Sequence, residues 1–585
     1  MFLVFTKLGM PKDQHQELLF LGEWCNDYII PNNKDTSRVR VLDYHWDDRD
    51  KFNKDFDRLD EVYEKYLLSL SSKLNEIHST DFECEYWRVI IGPWLRFFLD
   101  VVFDRYESVL KAKETGLVKD SLRLIYDKDN LAPHDFNSFY KSIVSDGWNQ
   151  IIFDMCAKNI GLPAYSKPQN YHNSDRWDII SDQYNWKNDL KKKVHSVESV
   201  YLSNSSVPFV GVFVSIVTNL LVSASAKLMP IIVEPKLKNI PTAIDKNKRD
   251  RLIIRQGKNK FEKFFETLIP LFIPKYYLES FLCARSMALN LYPKNPIKIF
   301  TSTAYQANEG FKIWAAEQKI KNVPLIILQH GGNMGLSLRN QSEDHQLKVA
   351  NHFLSWGWKK KNYYNISIAP ALQLLQKNIS PRVDGSITVF LATYPKYFYC
   401  SYSAPFAGQY LKYIDTIIDF ASNLDERPKK LVELHLPKDD WNWGIKEYLD
   451  HKGLSNQIYS GKGNIYKKFS SARLCVITSN GTILLETLHA NMPTLILWDL
   501  KLFEIRDEAK AVFAELHSCG ILHYDTASAI KFTKMIYEDP AAWWNNSSVQ
   551  KARSLFCNAF VKETKMPLNQ WYKHINNILV TETTK

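Results

Sequence analysis

The sequence predicts an α/β protein of two domains, in which parallel strands alternate with helices. A chain of 585 residues is too long for one hydrophobic core, so two or more domains are expected. Short apolar runs alternate with helical patterns in two separate parts of the chain. Between these parts, residues 359–386 show no regular pattern and include Pro381 and Gly385. We therefore expect two α/β halves with a hinge near residue 380.

The clearest strand–helix–strand unit is the stretch Arg473–Asp499. Two uncharged apolar runs predict strands at Leu474–Thr478 and Thr494–Trp498, and the residues between them predict a helix at Thr482–Ala490. The turn before this helix consists of Ser479, Asn480 and Gly481. Together with Thr482 it would place hydroxyls and free backbone N–H groups at the carboxyl edge of a sheet, where a phosphate binds well.

Glu486 lies on the same face of the predicted helix as Thr482, about one turn further along. A carboxylate at this position could reach the ribose hydroxyls of a nucleotide whose phosphate binds at the helix start. The alternative is that the Ser-Asn-Gly-Thr sequence is only a good turn and helix cap. The residues alone favour neither interpretation.

Strands and helices are also predicted along the first 358 residues. The predicted strands are Phe2–Phe5, Leu18–Leu21, Val39–Leu42, Ile297–Ser302, Pro324–Leu328 and His352–Trp356, and the predicted helices are 57–78, 86–110 and 305–318. Asp47 and Asp48 follow the third strand closely. Because ligands of open α/β sheets lie beyond strand ends, these carboxylates are candidates for binding acceptor hydroxyls.

A glycine-rich loop, Gln329-His330-Gly331-Gly332, follows the predicted strand Pro324–Leu328. Paired glycines allow a backbone to approach a ligand closely, so Gln329, Gly331 and Gly332 are candidate substrate contacts. His330 is a candidate catalytic or substrate-orienting group.

Glu343, Asp344 and His345 are predicted to lie in a loop further on. A positioned carboxylate can act as a general base, and Glu343 and Asp344 are favoured over His330 for that role.

The same alternation returns after residue 386. The predicted elements are a strand at Ile387–Ala392, a helix at Phe406–Leu424, a strand at Lys430–His435, and closing helices at Ala541–Lys562 and Leu568–Leu579. His435 ends its strand facing the 479–482 turn, which makes it a candidate phosphate ligand. The alternative is a structural histidine held by hydrogen bonds.

The composition of the chain indicates which kinds of binding partner it favours. The net charge of +11 favours an anionic partner such as a nucleotide, a lipid headgroup or an acidic glycan, but its spread over the chain argues against nucleic acid. Eight cysteines without a CxxC pair indicate neither a zinc site nor a disulfide framework, which favours a reduced, cytoplasmic setting. No metal and no cofactor is predicted.

Two stretches bear on membranes. Val207–Ala226 is uncharged for 20 residues but contains Pro208 and Asn219, which favours a buried helix over a membrane span. Residues 246–263 carry eight Lys or Arg against two acids. Such a run is usually a solvated face, but it could also attach the protein to the anionic inner membrane.

Seven motifs, which run almost from end to end of the chain, resemble those of a family of transferases encoded in bacterial O-antigen and surface-polysaccharide loci. They are LFLGEWC (19–25), YHWDDR (44–49), YWRVIIGPWL (86–95), QHGG (329–332), FLSWGW (353–358), ANMPTLILWD (490–499) and the tail from DPAAWW to SLFCNAF (539–560). Members of the family look like GT-B glycosyltransferases, which have two Rossmann-like domains facing a cleft. They are also broadly similar to bacterial sialyl- and Kdo-type transferases, which use CMP-activated sugars. Those enzymes share a His-Pro element, where this chain has His435-Leu436-Pro437.

The resemblance implies an acceptor domain at 1–375, a nucleotide-sugar donor domain at 386–540, and C-terminal helices at 541–585 that cross back over the hinge. It also implies a metal-independent glycosyltransferase. The implied donor is a CMP-linked ulosonic or nonulosonic acid, and the implied acceptor is a surface polysaccharide or a lipid-linked glycan. A polyol-phosphate transferase, a nucleotide-sugar epimerase and a non-catalytic assembly protein remain alternatives.

Overall fold

The computed structural model describes residues 1–11, 15–26, 36–163, 242–459 and 465–562, apart from 297, 372–373 and 375–378, together with 169–170, 237 and 240. The Val207–Ala226 stretch and the predicted helix Leu568–Leu579 lie outside the described residues. Within the described part of the chain, none of the helices combines the length and the apolar content that a membrane crossing needs.

The first sheet has four parallel strands in the order β3-β2-β1-β4. They are β1 (Phe2–Val4), β2 (Leu18–Phe20), β3 (Val39–Val41) and β4 (Asp120–Ser121), and a separate parallel pair is formed by β5 (Leu124–Ile125) and β6 (Gln169–Asn170). The first three strands confirm the sequence prediction. Their grouping into a sheet of their own was not predicted, because periodicity identifies strands but not their partners.

Two long helices dominate the N-terminal region, α1 (Arg49–His78) and α2 (Cys84–Glu114). Helix α1 begins at Asp48, whose side chain accepts hydrogen bonds from the backbone N of Asp50 and Lys51 at 3.0 and 3.1 Å. Helix α2 is buried along most of its length, so it forms a core element. The other helices of this region are α3 (Phe136–Ile143), α4 (Asp146–Ile160), α5 (Lys246–Arg251), α6 (Lys260–Phe272) and α7 (Phe281–Leu291).

The second sheet is also parallel, in the order β10-β9-β8-β7. Its strands are β7 (Ile299–Thr301), β8 (Leu325–Leu328), β9 (His352–Ser355) and β10 (Ile366–Ile368), and its helices are α8 (Ala304–Ala307), α9 (Glu309–Ile320) and α10 (Gln341–Val349). The predicted loop around Glu343 is therefore wrong, because these residues belong to α10. Asn340 caps this helix by accepting a hydrogen bond from the Glu343 backbone N at 3.0 Å.

The third sheet has six parallel strands in the order β13-β12-β11-β14-β15-β16, which is the order 3-2-1-4-5-6 of a Rossmann domain. The strands are β11 (Ser386–Phe390), β12 (Val432–His435), β13 (Ile458–Tyr459), β14 (Ala472–Ile477), β15 (Thr494–Leu497) and β16 (Leu522–His523). Its helices are α11 (Gln409–Ser422), α12 (Glu426–Lys430), α13 (Ile445–His451), α14 (Ile465–Ser471), α15 (Thr482–His489), α16 (Asp507–Ser518) and α17 (Thr526–Ile536).

The chain then forms α18 (Pro540–Trp544) and α19 (Ser547–Phe560) and returns to the second sheet. Lys562 N donates a hydrogen bond to the carbonyl of Trp356, beyond β9, at 2.6 Å. A Cβ atom added at Gly357 (φ +150°) would lie 2.7 Å from the Ala559 carbonyl oxygen, so only glycine fits this crossing. The expected fold class, two Rossmann-like domains with C-terminal helices that cross back, is confirmed.

Candidate functional site

The candidate site lies at the carboxyl edge of the third sheet, where the strand order reverses between β11 and β14. Ligands of doubly wound sheets bind in this crevice. Tyr413 spans it, because its hydroxyl accepts a hydrogen bond from Ala392 N at 2.8 Å and shares one with Thr478 Oγ1 at 2.5 Å. Thr478 Oγ1 in turn donates to the Phe390 carbonyl at 2.8 Å. These bonds fix the base of the crevice directly beneath the 479–482 turn.

The turn of Ser479, Asn480 and Gly481 leads into α15, as predicted. Gly481 is the N-cap residue and offers no side chain to cap the first N–H groups of the helix, so these groups can serve as the donors that an anion requires. The Asn480 amide is already engaged, since it donates to Ser337 Oγ and to the Ser403 carbonyl, each at 3.0 Å. Asn480 therefore joins the two domains. Ser479 and Thr482 remain the candidates for donating hydrogen bonds to a phosphate.

Gly332 brings the predicted glycine-rich loop directly against this turn. A Cβ atom added at Gly332 would lie 2.5 Å from both the Gly481 carbonyl carbon and the Thr482 nitrogen. Real Cβ atoms do not come this close, so the contact requires glycine. The loop after β8 and the start of α15 thus form one continuous wall.

His330 precedes this contact by two residues. It makes a hydrogen bond with the Ser302 backbone, while Nδ1 is buried and has no hydrogen-bond partner among the described residues. Burial lowers the pKa of His330 to about 4, although the bond to Ser302 acts in the opposite direction. The imidazole is therefore neutral near pH 7. With the other nitrogen donating to the Ser302 carbonyl, Nδ1 carries the free lone pair.

The side chain of Gln329 is held by hydrogen bonds to its own loop and to residues 356 and 358. Its Oε1 accepts hydrogen bonds from Trp356 N and Trp358 Nε1, both at 2.8 Å, and its Nε2 donates to the Gly331 carbonyl at 2.9 Å. The side chain thereby sets the shape of the loop. These bonds favour loop support over substrate contact for Gln329.

Glu343 is fully buried and both its oxygens are occupied. Oε1 accepts from Arg506 Nη2 at 2.6 Å and lies 3.2 Å from Lys360 Nζ, and Oε2 accepts from Gly335 N at 2.8 Å. Burial raises the pKa of Glu343, but the two cations and the hydrogen bonds outweigh it and hold the pKa below its usual range. Asp344 Oδ1 is likewise paired with Lys360 Nζ at 2.5 Å. This arrangement favours a structural role for the acidic pair over proton abstraction.

His435 ends β12, two strands away from the 479–482 turn. Because Phe390 is in register with both His435 and Ile477, the Cα atoms of these two strand-end residues lie about 10 Å apart. The ring of His435 stacks on Tyr459 at 5.5 Å, and its Nδ1 has no partner within the described ranges. Burial and the nearby Lys468 charge lower the pKa of His435. A single phosphate cannot contact both His435 and the helix start with ease, but a nucleotide could span them.

Glu486 is half-buried on α15, and Tyr466 donates a hydrogen bond to its Oε1 at 3.3 Å. Burial raises the pKa of Glu486 to about 7, since the Tyr466 hydrogen bond offsets only part of the desolvation. The carboxyl is therefore poised between its two charge states near neutral pH.

Asp47 and Asp48 are engaged elsewhere. Asp48 caps α1, and Asp47 accepts hydrogen bonds from Gln409 Nε2 at 3.0 Å and Lys412 Nζ at 2.7 Å. Asp47 therefore links the N-terminal region to α11 of the third sheet. Their contacts favour structural roles over acceptor binding.

Two residues of the site were missed from the sequence, Tyr413 and Arg506. Tyr413 bridges two strand ends from a neighbouring helix, and Arg506 contacts Glu343 across 163 residues of sequence. Contacts at such separations leave no local pattern, so no sequence signal could have identified them. Among the described residues there is no group of three His, Cys, Asp or Glu side chains placed to hold a metal ion.

Solved structures similar to this chain each match about half of it. A structure of S. aureus MnaA with UDP matches with a TM-score of 0.34 and 13% identity, over 52% of this chain and 80% of that chain. WaaG, a glycosyltransferase involved in lipopolysaccharide biosynthesis, matches with a TM-score of 0.28 and 10% identity, over 52% and 95%. The wall teichoic acid polymerase TagF matches with a TM-score of 0.28 and 9% identity, over 51% and 85%.

No curated protein matches the chain. The model of one protein family matches residues 1–575, which is nearly the whole sequence. The chain therefore belongs to the LIC12162 family of transferases.

Proposed function

We propose that this transferase is a glycosyltransferase that moves a sugar from a nucleotide-activated donor to a glycan. The observation that carries the proposal is the contact of Gly332 with Gly481 and Thr482. It supports the proposal because it brings the loop that carries His330 next to the start of α15. Glycosyl transfer needs both a base for the acceptor hydroxyl and donors for the departing phosphate.

The donor site proposed here is the carboxyl edge of the third sheet. Ser479, Thr482 and the N–H groups of α15 bind the phosphate that leaves with the nucleotide. His435, about 10 Å away across the sheet edge, binds another part of the same nucleotide. Glu486, one turn into the helix, accepts a ribose hydroxyl. These groups supply the electrostatic stabilisation without a metal ion.

The base proposed is His330 rather than Glu343 or Asp344. Its Nδ1 lone pair is unpartnered among the described residues, whereas both oxygens of Glu343 are bound. In the reaction, Nδ1 takes the proton of the acceptor hydroxyl while that oxygen bonds to the anomeric carbon. The bond between this carbon and the phosphate oxygen breaks, and the nucleotide leaves with the electron pair.

The donor class proposed is a CMP-linked ulosonic or nonulosonic acid. The support is the broad similarity to CMP-sugar transferases, which have a Ser/Thr-rich turn for the donor phosphate, as at Ser479–Thr482. Their direct His-Pro element is interrupted here by Leu436, between His435 and Pro437. The acceptor proposed is a surface polysaccharide or a lipid-linked glycan.

Residues 246–263 are proposed to bring the cytoplasmic enzyme to the anionic inner membrane. Part of this run is already paired: Lys246 with Asp129 at 2.9 Å and Arg249 with Glu279 at 2.6 Å. Its attraction to a membrane should therefore be weaker than eight bases suggest, at about 1 kcal/mol per available base.

The test is binding followed by turnover. Purified protein is first titrated with CMP, UDP and GDP by calorimetry, and then incubated with CMP-, UDP- and GDP-sugars while nucleotide release is measured. The proposal predicts binding of one nucleotide and slow release from the matching sugar, faster with acceptor. Binding of none would leave the non-catalytic assembly protein. Conversion of a nucleotide sugar into its epimer without sugar transfer would indicate the epimerase. Activity only with a CDP-polyol would indicate the polyol-phosphate transferase.

A further inference from the structure

Arg506 connects the third sheet's domain to the loop that carries His330. It precedes α16 and is only 4% exposed. Its backbone N donates to the Leu336 carbonyl at 3.0 Å, and its Nε donates to the Ser337 carbonyl at 3.2 Å. Leu338 N donates to the Glu504 carbonyl at 2.9 Å, so 336–338 and 504–506 run side by side as a short antiparallel pair.

The guanidinium of Arg506 also holds Glu343. The 2.6 Å bond from Nη2 to Oε1 joins a fully buried carboxylate to a buried cation. Glu343 in turn holds the loop, because its Oε2 accepts a hydrogen bond from the backbone N–H of Gly335. Gly335 lies three residues after Gly332. Two different nitrogens of Arg506 are thus used at once, which a lysine cannot reproduce.

The same loop is tied to the donor turn. Ser337, whose carbonyl is held by Arg506, accepts a hydrogen bond at its Oγ from Asn480. Gly332 of the loop lies against Gly481. Arg506 therefore fixes one end of a segment whose other end carries His330 and touches the donor site.

We propose that Arg506 is a positioning residue that holds His330 in register with the donor turn by way of Glu343 and residues 335–338. This inference rests on the proposed glycosyl transfer. It also gives the buried Glu343 a role, as the carboxylate that transmits the constraint. A displacement of about 1 Å between reacting groups can cost 10²-fold in rate, so a small shift of this loop should be visible in kinetics.

The experiment compares Arg506→Gln, Arg506→Lys and Glu343→Gln with the wild type. We expect kcat to fall by about 10–100-fold in each, while the nucleotide Kd stays within about threefold, because Ser479 and the start of α15 are untouched. The double variant Arg506→Gln/Glu343→Gln should lose little more than either single variant, since both act through one contact. Urea unfolding verifies that each variant is folded, and the nearly isosteric Glu343→Gln carries the prediction if Arg506→Gln does not fold.

Arg49→Gln is the matched control. Arg49 also spans the two regions and pairs with the side chain of Glu504 at 2.6 Å, in the segment that contains Arg506. Arg49→Gln should leave kcat within about threefold of the wild-type value. Folded Arg506 and Glu343 variants with normal kcat, or with a loss confined to KM, would overturn the positioning role. A wild-type protein without donor turnover would instead overturn the proposed function.

Discussion

Replacing Glu486 with glutamine should stabilise the folded protein above pH 7 and have a much smaller effect on its stability near pH 5. In the folded chain, burial raises the pKa of Glu486 from 4.5 to about 7. The folded state therefore binds more protons than the unfolded state between these values. Stability must fall as the pH rises through this window, and then stay constant above it.

The size of this effect follows from the shift. At about 1.4 kcal/mol per pH unit, the full shift would correspond to about 3 kcal/mol. Because the side chain is only half-buried, we expect about 1–3 kcal/mol. Glutamine carries no charge to desolvate, and its Oε1 can still accept the hydrogen bond from Tyr466. The variant should therefore recover this free energy of unfolding at pH 8.

The assay is urea unfolding of the wild type and Glu486→Gln at pH 5 and pH 8. The control is Glu447→Gln, an exposed glutamate of the same domain, which should change stability by less than about 0.5 kcal/mol at either pH. If Glu486→Gln has the same effect at both pH values, or destabilises the protein at pH 8, burial does not raise the pKa of Glu486.

Three further predictions concern the cleft and the membrane. Gly332→Ala should cost about 1–3 kcal/mol of stability and abolish nucleotide binding, because the added Cβ would collide with the donor turn. Gly331→Ala is the control and should be tolerated, since its Cβ would make only an ordinary contact at 3.6 Å. Thermal unfolding and calorimetry measure both variants. Ser479→Ala and His435→Ala should each weaken nucleotide binding by about 10–100-fold, and unchanged affinity in the double variant would refute the donor site. Binding to anionic vesicles should weaken as salt rises if residues 246–263 supply the attraction, and salt-independent binding would exclude that account.

The elements of the third sheet were largely predictable from the sequence. The predicted strand Leu474–Thr478, helix Thr482–Ala490 and strand Thr494–Trp498 correspond to Ala472–Ile477, Thr482–His489 and Thr494–Leu497. These elements follow from local apolar patterns and from turn residues. The short edge strands β13 and β16, of two residues each, escaped prediction because they are too short to show a period.

The chemical roles were less predictable, because they depend on long-range pairs. Glu343 and Asp344 were favoured as the base because a positioned carboxylate can take a proton near neutral pH. The structure instead buries it against Arg506, 163 residues away, and uses Asn480 to bond Ser337, 143 residues away. A sequence shows which groups a chain contains, but the packing of the two domains decides which of them keep a free lone pair.

His330 is proposed as the base of a glycosyl transfer at the wall shared by Gly332 and Gly481. The measurement is sugar transfer and nucleotide affinity in His330→Ala, once the donor nucleotide is known. Because a positioned base contributes about 10²–10⁴-fold, we expect a loss of transfer of that size with a nucleotide Kd within about threefold of the wild type. Transfer at the wild-type rate, or a loss that only mirrors weaker nucleotide binding, would contradict it.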